Sequence, residues 1–223
     1  MVFIVLDGTD GSGKTTQATL LVERLRKEGH MVETADFPQY EQWSAAFAER
    51  YLRGEFGSAL EVGAKRSSLF YALDRYAASF QIRSWLKEGK IVISNRYVSA
   101  NKGHQLGKLR AEERKEFLAW LNEMEYDILA IPKPDLTLFL HMPPELGQKL
   151  VDQKGVRDYL GGKKRDLHEA DLDHLKKAEQ AYLFCLEHDA VERWEKVVCF
   201  AGENPRSREE IHEEVYGKVK GLL

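Results

Sequence analysis

Long hydrophobic runs are missing from this sequence. No apolar stretch approaches the length that crosses a bilayer, so a membrane-spanning role is not expected. Cysteine is scarce as well, with Cys185 and Cys199 the two in 223 residues. They fall in segments that read as a helix and a strand, and are expected to be small buried hydrophobes suited to a reducing cytoplasm. The seven histidines show no zinc-type spacing with cysteine. Neither sign of charge is in excess: 33 basic residues against 36 acidic ones leave a formal net charge of -3. Without a contiguous basic face, neither nucleic acid nor a membrane surface is an expected partner. Internal repeats and low-complexity linkers are absent too. The N-terminus has no basic start and meets Asp7 and Gly8 after a short apolar run, so it reads as a first strand and not a signal peptide.

What is present is an alternation of short apolar strands with amphipathic helices. Strands are predicted at 2–7, 31–36, 90–94, 135–142 and 196–201. Helices are predicted at 15–27, 110–124, 144–154, 171–188 and 206–222, with a long, mostly helical region over 44–87 that breaks near Gly54 and Gly57. Repeated strand–helix alternation implies an α/β fold, a parallel sheet with helices on both faces. One segment departs from the pattern. Residues 155–171 are charged, glycine-bearing and only weakly periodic, with basic residues at 157, 163, 164 and 165. This segment reads as a solvated loop or as a lid over a phosphate site.

Gly8-Thr9-Asp10-Gly11-Ser12-Gly13-Lys14-Thr15 fits G-x-x-x-x-G-K-S/T, between a predicted strand and a predicted helix. Glycines at this spacing let successive backbone N–H groups wrap a phosphate, and the helix start adds its positive dipole end. Lys14 is expected to reach the β and γ oxygens, and Thr15 to offer its hydroxyl to Mg²⁺ carried with ATP. The expected ATP-binding set is Gly8, Asp10, Gly11, Ser12, Gly13, Lys14, Thr15 and Thr16. Two further arginines follow aspartate or asparagine: Asp74-Arg75-Tyr76 in a helical region and Asn95-Arg96-Tyr97 at the exit of the third strand. Strand exits in such a sheet face the crevice that holds the ligand. Arg96 is therefore expected to hold a second phosphate, for which a guanidinium fork is well shaped. Arg75 taken alone reads equally well as an exposed helix arginine paired with a neighbouring acid.

At these residues the chain resembles the thymidylate kinases. The resemblance rests on GTDGSGKTTQ (8–17), FP (37–38), LFYALDRY (69–76), NRYVSANKGHQ (95–105), KPDLTLFL (133–140) and DLHE (166–169), in that order along nearly the whole chain. It implies a P-loop NTPase fold over residues 1–223 as a single domain, with a five-stranded parallel sheet in the order 2-3-1-4-5, and a lid over about 155–171. It implies a cytoplasmic nucleoside monophosphate kinase that moves the γ-phosphoryl of ATP to dTMP, and a homodimer packed through helices. By resemblance, Asp10 would sit near the sugar hydroxyl, Phe70 would stack on the thymine, and Arg75 would hydrogen-bond the base. Arg96 would hold the monophosphate, with Phe37, Asn101, Gln105 and His168 also on the dTMP side. Arg165, with Arg157 as second choice, would bring a lid cation to the transferring phosphoryl, and Asp166 with Glu169 would match the lid's D-x-x-E.

Several positions depart from the family pattern. Asn95 stands where the family usually has an aspartate near the metal, so Thr15 and Asn95 together form the expected metal side. Gln39 and Tyr40 replace an arginine found near the FP motif in many members, and His104 stands near an aromatic wall position. Two rival readings stay open: a kinase for another monophosphate or a deoxynucleoside, and a nucleotide-binding regulator with weak turnover. The deoxynucleoside reading calls for a carboxylate base near the acceptor hydroxyl, and none is apparent just after the second strand at Phe37-Pro38-Gln39.

Overall fold

The computed structural model describes residues 1–152 and 172–223. β1 (Val2–Gly8) is buried along its whole length. It pairs in parallel with β3 (Ile91–Asn95) on one side and β4 (Leu136–His141) on the other. β2 (Val32–Asp36) lies outside β3, and β5 (Trp194–Val198) lies outside β4. The order β2-β3-β1-β4-β5 is the expected one. Its central strands are near-continuous hydrophobic runs because both faces are covered.

Side-chain alternation along β1 divides the core in two. Val2, Ile4 and Leu6 pack with Leu21 and Leu25 of α1 (Lys14–Lys27) and, at the chain's end, Val215 and Val219. Phe3 and Val5 face the opposite layer, with Ile82 of α3 (Ala59–Lys87), Val98 and Leu106 of α4 (Val98–Leu106) and Phe117 of α5 (Ala111–Asn122). Between β2 and α3 the chain makes a 3₁₀ turn (Trp43–Ala45) and α2 (Ala46–Leu52). The predicted break near Gly54 and Gly57 is present, since both adopt positive φ before the Ser58–Glu61 capping box opens α3.

α6 (Pro144–Asp152), α7 (Leu172–His188) and α8 (Arg208–Lys220) match the remaining predicted helices. Both cysteines are buried, and burial pushes the Cys199 thiol up to about 12. Three local features differ from the sequence expectation. Residues 98–106, read as a motif after a strand, form the helix α4. The helix α5 continues into a π-helical turn over Glu123–Ile128. β5 begins two residues earlier and ends three residues sooner than the predicted 196–201. Its pairing with β4 stops at His141–Val198, because Pro143 and Pro144 follow and β4 can offer no further partner. Phe200–Ala201 instead pairs antiparallel with Asn204–Pro205. The lid segment and its Arg157, Lys163, Lys164, Arg165, Asp166, His168 and Glu169 lie outside the described residues.

Candidate active site

The carboxyl ends of β1, β2 and β3 open on one cavity of about 500 Å³. Its floor is the phosphate loop, represented by Asp10, Gly11, Gly13, Lys14, Thr15 and Thr16. Gly8 and Ser12 are buried behind it. Two glycines of the loop are required for different reasons. Gly13 precedes α1 with φ 88 and open space around it, so only its backbone conformation demands glycine. Gly11 has φ 79, and a Cβ there would lie 2.2 Å from the carbonyl oxygen of Gly147 on α6. The loop is thus braced by a helix that approaches it as closely as two glycines allow. Lys14 Nζ donates to the carbonyls of Gly8 (3.1 Å) and Thr9 (2.9 Å).

Arg96 stands directly beyond β3 in the left-handed region, with φ 65. Such a conformation costs a non-glycine residue about 1–3 kcal/mol and persists where surrounding bonds over-determine it. Here the Arg96 N–H donates to the Leu6 carbonyl at 2.9 Å, and Ser94 Oγ donates to the Arg96 carbonyl at 2.6 Å. The turn aims the guanidinium across the cavity, where Nη2 donates to Asp10 Oδ1 at 2.6 Å. Burial alone would lower the Arg96 pKa, but Asp10 and Asp7 reverse it and hold the group well above its ordinary value. Nη1 meets His104 Nε2 at 3.2 Å. An arginine can only donate, so Nε2 accepts, and Nδ1 of the neutral ring is left to donate to His174 Nε2 at 3.3 Å. Burial, with the charge of Arg96 and the neighbouring His174 adding to it, holds the His104 imidazole well below its usual pKa.

A second corner of the cavity carries oxygen atoms. Asn95 Nδ2 donates to Asp36 Oδ1 at 3.0 Å and lies 3.4 Å from Thr15 Oγ1. Asn95 Oδ1 is buried and has no hydrogen-bond partner in the protein. Burial raises the Asp36 carboxyl, against the opposing pull of the Asn95 amide and Arg96. A hydroxyl, an amide oxygen lacking a partner and a carboxylate make a donor set that suits a hard cation such as Mg²⁺. Among the described residues no group of three or more histidine, cysteine, aspartate or glutamate side chains could hold a metal ion. With one carboxylate in the set, a cation held here would take further oxygens from a phosphate or from water.

A family model described as thymidylate kinase matches residues 6–197. This chain belongs to the thymidylate kinase family. A Mycobacterium tuberculosis thymidylate kinase is 31% identical over 182 residues, covering 81% of this chain and 84% of that protein. The thymidylate kinase of Halothermothrix orenii is 31% identical over 224 residues, covering 100% and 98%. A probable thymidylate kinase of Pyrococcus abyssi is 28% identical over 224 residues, covering 99% and 97%. The thymidylate kinases are phosphotransferases, and the cavity lies at the strand exits, where a sheet of this kind brings ligands together.

The remaining wall of this thymidylate kinase cavity is contributed by α3 and α4. Arg75 lines it, yet the residue is 1% exposed. Nε donates to Glu125 at 3.2 Å, Nη2 makes a short ion pair with the same carboxylate, and Nη1 donates to the Tyr97 carbonyl at 3.3 Å. Arg75 is paired, but it is buried where the paired reading had it exposed, and Glu125, 50 residues away and set in place by the π-helical turn, is a partner the sequence did not disclose. Asn101 donates to the Ser68 carbonyl at 3.1 Å, and Gln105 Oε1 accepts from Ser67 Oγ at 2.7 Å. Lys108 donates to that same Ser67 (3.2 Å) and to the Tyr51 hydroxyl (2.7 Å), and burial lowers its pKa to about 7.

Phe70 is placed differently from its expected stacking role. It is not among the described residues lining the cavity; its ring stacks on Phe47, with centroids 5.6 Å apart, and packs on Phe56 and Tyr51. The next residue, Tyr71, lines the wall instead. Successive residues of a helix are turned about 100° from each other, and here that puts Phe70 against α2 and Tyr71 on the cavity side. Phe37 lines the cavity from the end of β2, and Gln39 and Tyr40 stand nearby. Gln39 is occupied by Asp74, which accepts both its N–H (2.8 Å) and its side-chain amide (3.1 Å). Just after the second strand, at Phe37-Pro38-Gln39, there is no carboxylate, as the sequence indicates, but Asp36 stands immediately before them. It is the last residue of β2, and the strand-exit rule that singled out Arg96 also applies to it. No helix among the described residues is long and apolar enough to cross a membrane.

Proposed function

We propose that this protein transfers the γ-phosphoryl group of ATP to dTMP, giving ADP and dTDP. The observation that carries the reading is that Lys14 and Thr15 of the phosphate loop share one cavity with Arg96, in a chain of the thymidylate kinase family. Asp10 Oδ1 lies 2.6 Å from Arg96 and 3.7 Å from Lys14, so one carboxylate oxygen spaces two cations that would meet two phosphate groups. Transfer of this kind needs alignment and charge neutralisation more than covalent help. In this reading Lys14 contacts the β and γ oxygens and Arg96 forks onto the acceptor phosphate. Neutral His104 accepts from Arg96 and keeps the fork oriented without adding charge. Mg²⁺ bound with ATP would neutralise charge across the β and γ phosphates, with Thr15 and Asn95 on the side that holds it. Arg165, or failing it Arg157, is proposed as the lid cation; Arg165→Ala lowering kcat about 100-fold at unchanged dTMP KM is the signature of a contact made in the transition state.

Base selection follows from amide orientation. The Ser67 hydroxyl has one proton and three acceptors in reach, the Gly63 carbonyl (2.7 Å), the Ala64 carbonyl (3.2 Å) and Gln105 Oε1 (2.7 Å); in this reading Gln105 takes it, which leaves its NH₂ to donate. Asn101 commits its NH₂ to Ser68, which leaves its carbonyl oxygen to accept. A donor beside an acceptor matches thymine's carbonyl oxygen and ring N–H, whereas cytosine presents the reverse at the same edge.

A second reading, transfer to a deoxynucleoside hydroxyl, is favoured by Asp36 alone. It leaves Arg96 without an acceptor phosphate to bind. The two readings separate in a panel of ribo- and deoxynucleoside monophosphates and deoxynucleosides with ATP and Mg²⁺, scored by product chromatography. Turnover of thymidine with none of dTMP would overturn the first reading.

A homodimer is also proposed. Leu69, Leu73, Tyr76 and Phe80 recur at helical spacing on α3 and are 39–59% exposed, an apolar stripe that a second copy would cover. Leu73→Asp is expected to shift the mass measured by light scattering from dimer to monomer.

A further inference from the structure

The geometry points to Asp36 as the carboxylate that completes the cation side of the nucleotide site, acting with Asn95 and Thr15. The inference rests on the ATP half of the proposed function and adds a residue to it. Phosphate loops of this class hold their cation with the loop hydroxyl and an aspartate on a neighbouring strand. β3 is the strand beside β1, and it ends in Asn95, which cannot carry charge. The register pairs Asn95 with Asp36 across β3 and β2, and the two side chains are joined at 3.0 Å.

Three observations assign the role to Asp36 over its neighbours. Asp10 is engaged by Arg96 at 2.6 Å and Lys14 at 3.7 Å. Asp74 accepts from Gln39 and from Ser44 Oγ at 2.6 Å, so it serves the chain after β2. Asp36 alone of the three meets the Asn95 amide, whose NH₂ also lies 3.4 Å from the Thr15 hydroxyl. The hydrogen bond from Nδ2 to Asp36 has a further consequence. It fixes the amide so that Oδ1, buried and without a partner in the protein, is the neutral oxygen left for a cation or its water. The carboxylate and the amide thus have separate roles, in which Asp36 supplies charge from one strand further out and Asn95 supplies an oriented oxygen beside Thr15. Cations of the Mg²⁺ type keep several waters and need only one or two carboxylates besides the phosphates, so this displacement of the charge is compatible with their chemistry.

The test is Mn²⁺ binding to the full-length enzyme in complex with a non-hydrolysable ATP analogue, followed by electron paramagnetic resonance, with no acceptor present. Asp36→Asn is expected to weaken Mn²⁺ binding to that complex by about 10- to 100-fold, in the range for residues that support a metal site. Binding of the metal-free analogue should stay within about twofold of the parent, and Asp36→Ala should repeat the loss with no amide in place. Moving the charge back, in Asp36→Asn combined with Asn95→Asp, should restore Mn²⁺ affinity. Parental Mn²⁺ affinity in Asp36→Asn overturns the inference, and if turnover still collapses in that variant, Asp36 is a base for a hydroxyl acceptor instead. An equal loss of metal-free analogue binding also overturns it, since Asp36 would then shape the loop. Because no acceptor is used, a parent enzyme that binds metal as expected but makes no dTDP would defeat the dTMP reading and leave this one standing.

Discussion

Arg96 donates to Asp10 across 2.6 Å, which ties the exit of β3 to the phosphate loop that follows β1. The arginine reaches the loop because its own backbone turns into the left-handed region. Backbone and side chain therefore contribute separately, and they can be tested separately. Arg96→Ala is expected to raise the KM for dTMP by about 10- to 100-fold, the worth of one or two charge-assisted hydrogen bonds, with little change in the KM for ATP. Arg96→Gly should bind dTMP no better, yet unfold in urea at higher concentration than Arg96→Ala, by up to about 1 kcal/mol, because glycine relieves the positive φ. Equal stability of the two variants would mean the turn carries no strain.

Arg75 and Glu125 form a buried pair, 1% and 0% exposed. Arg75→Ala strands the carboxylate in the core and is expected to cost about 3–5 kcal/mol of stability in urea unfolding. Replacing both, as Arg75→Met with Glu125→Leu, should recover most of that loss. A double variant as unstable as the single one would contradict the pairing as the cause.

Phe70 and Tyr71 divide between packing and binding. Phe70→Ala should lower stability by about 3 kcal/mol or less, since its ring sits in a half-exposed aromatic group, and should leave the dTMP KM nearly unchanged. Tyr71→Ala should do the reverse. A dTMP defect confined to Phe70→Ala would restore the stacking role to that residue.

The sheet was legible because continuous apolar runs of four to seven residues, punctuated by glycine and proline, have few other solutions. The phosphate loop was legible because its glycines, Lys14 and Thr15 are adjacent in sequence and their spacing has a mechanism. Contacts made over long separations were not. Glu125 lies 50 residues from Arg75, and no local pattern announces a π-helical turn that buries a carboxylate. The Asp36–Asn95 pair spans 59 residues and depends on strand register, which composition does not report. The side of Phe70 was not legible for a smaller reason: a one-residue rotation on α3 decides which aromatic faces the cavity. α4 was hidden by its glycine and polar residues, yet Gly103 is there because a Cβ would lie 2.2 Å from the Tyr182 ring.

Lys108 gives the fold a pH dependence with a definite sign. Burial lowers its pKa from 10.5 to about 7. Between those values the unfolded chain binds a proton that the folded chain does not, so this group's contribution to stability rises with pH across that window. The slope is at most about 1.4 kcal/mol per pH unit. Urea midpoints measured from pH 7 to pH 9.5 should rise for the parent relative to Lys108→Met, and parallel curves would show that Lys108 stays charged in the fold.

The most direct test of the central claim follows the γ-phosphoryl group itself. ATP labelled at the γ position is mixed with Mg²⁺, unlabelled dTMP and the enzyme, and the nucleotides are separated. The expected result is label in dTDP with matching release of ADP, at a kcat/KM for dTMP above that for dCMP, and loss of transfer in a folded Lys14→Ala variant. Label appearing only as inorganic phosphate, or in another acceptor while dTMP stays unlabelled, would contradict the account.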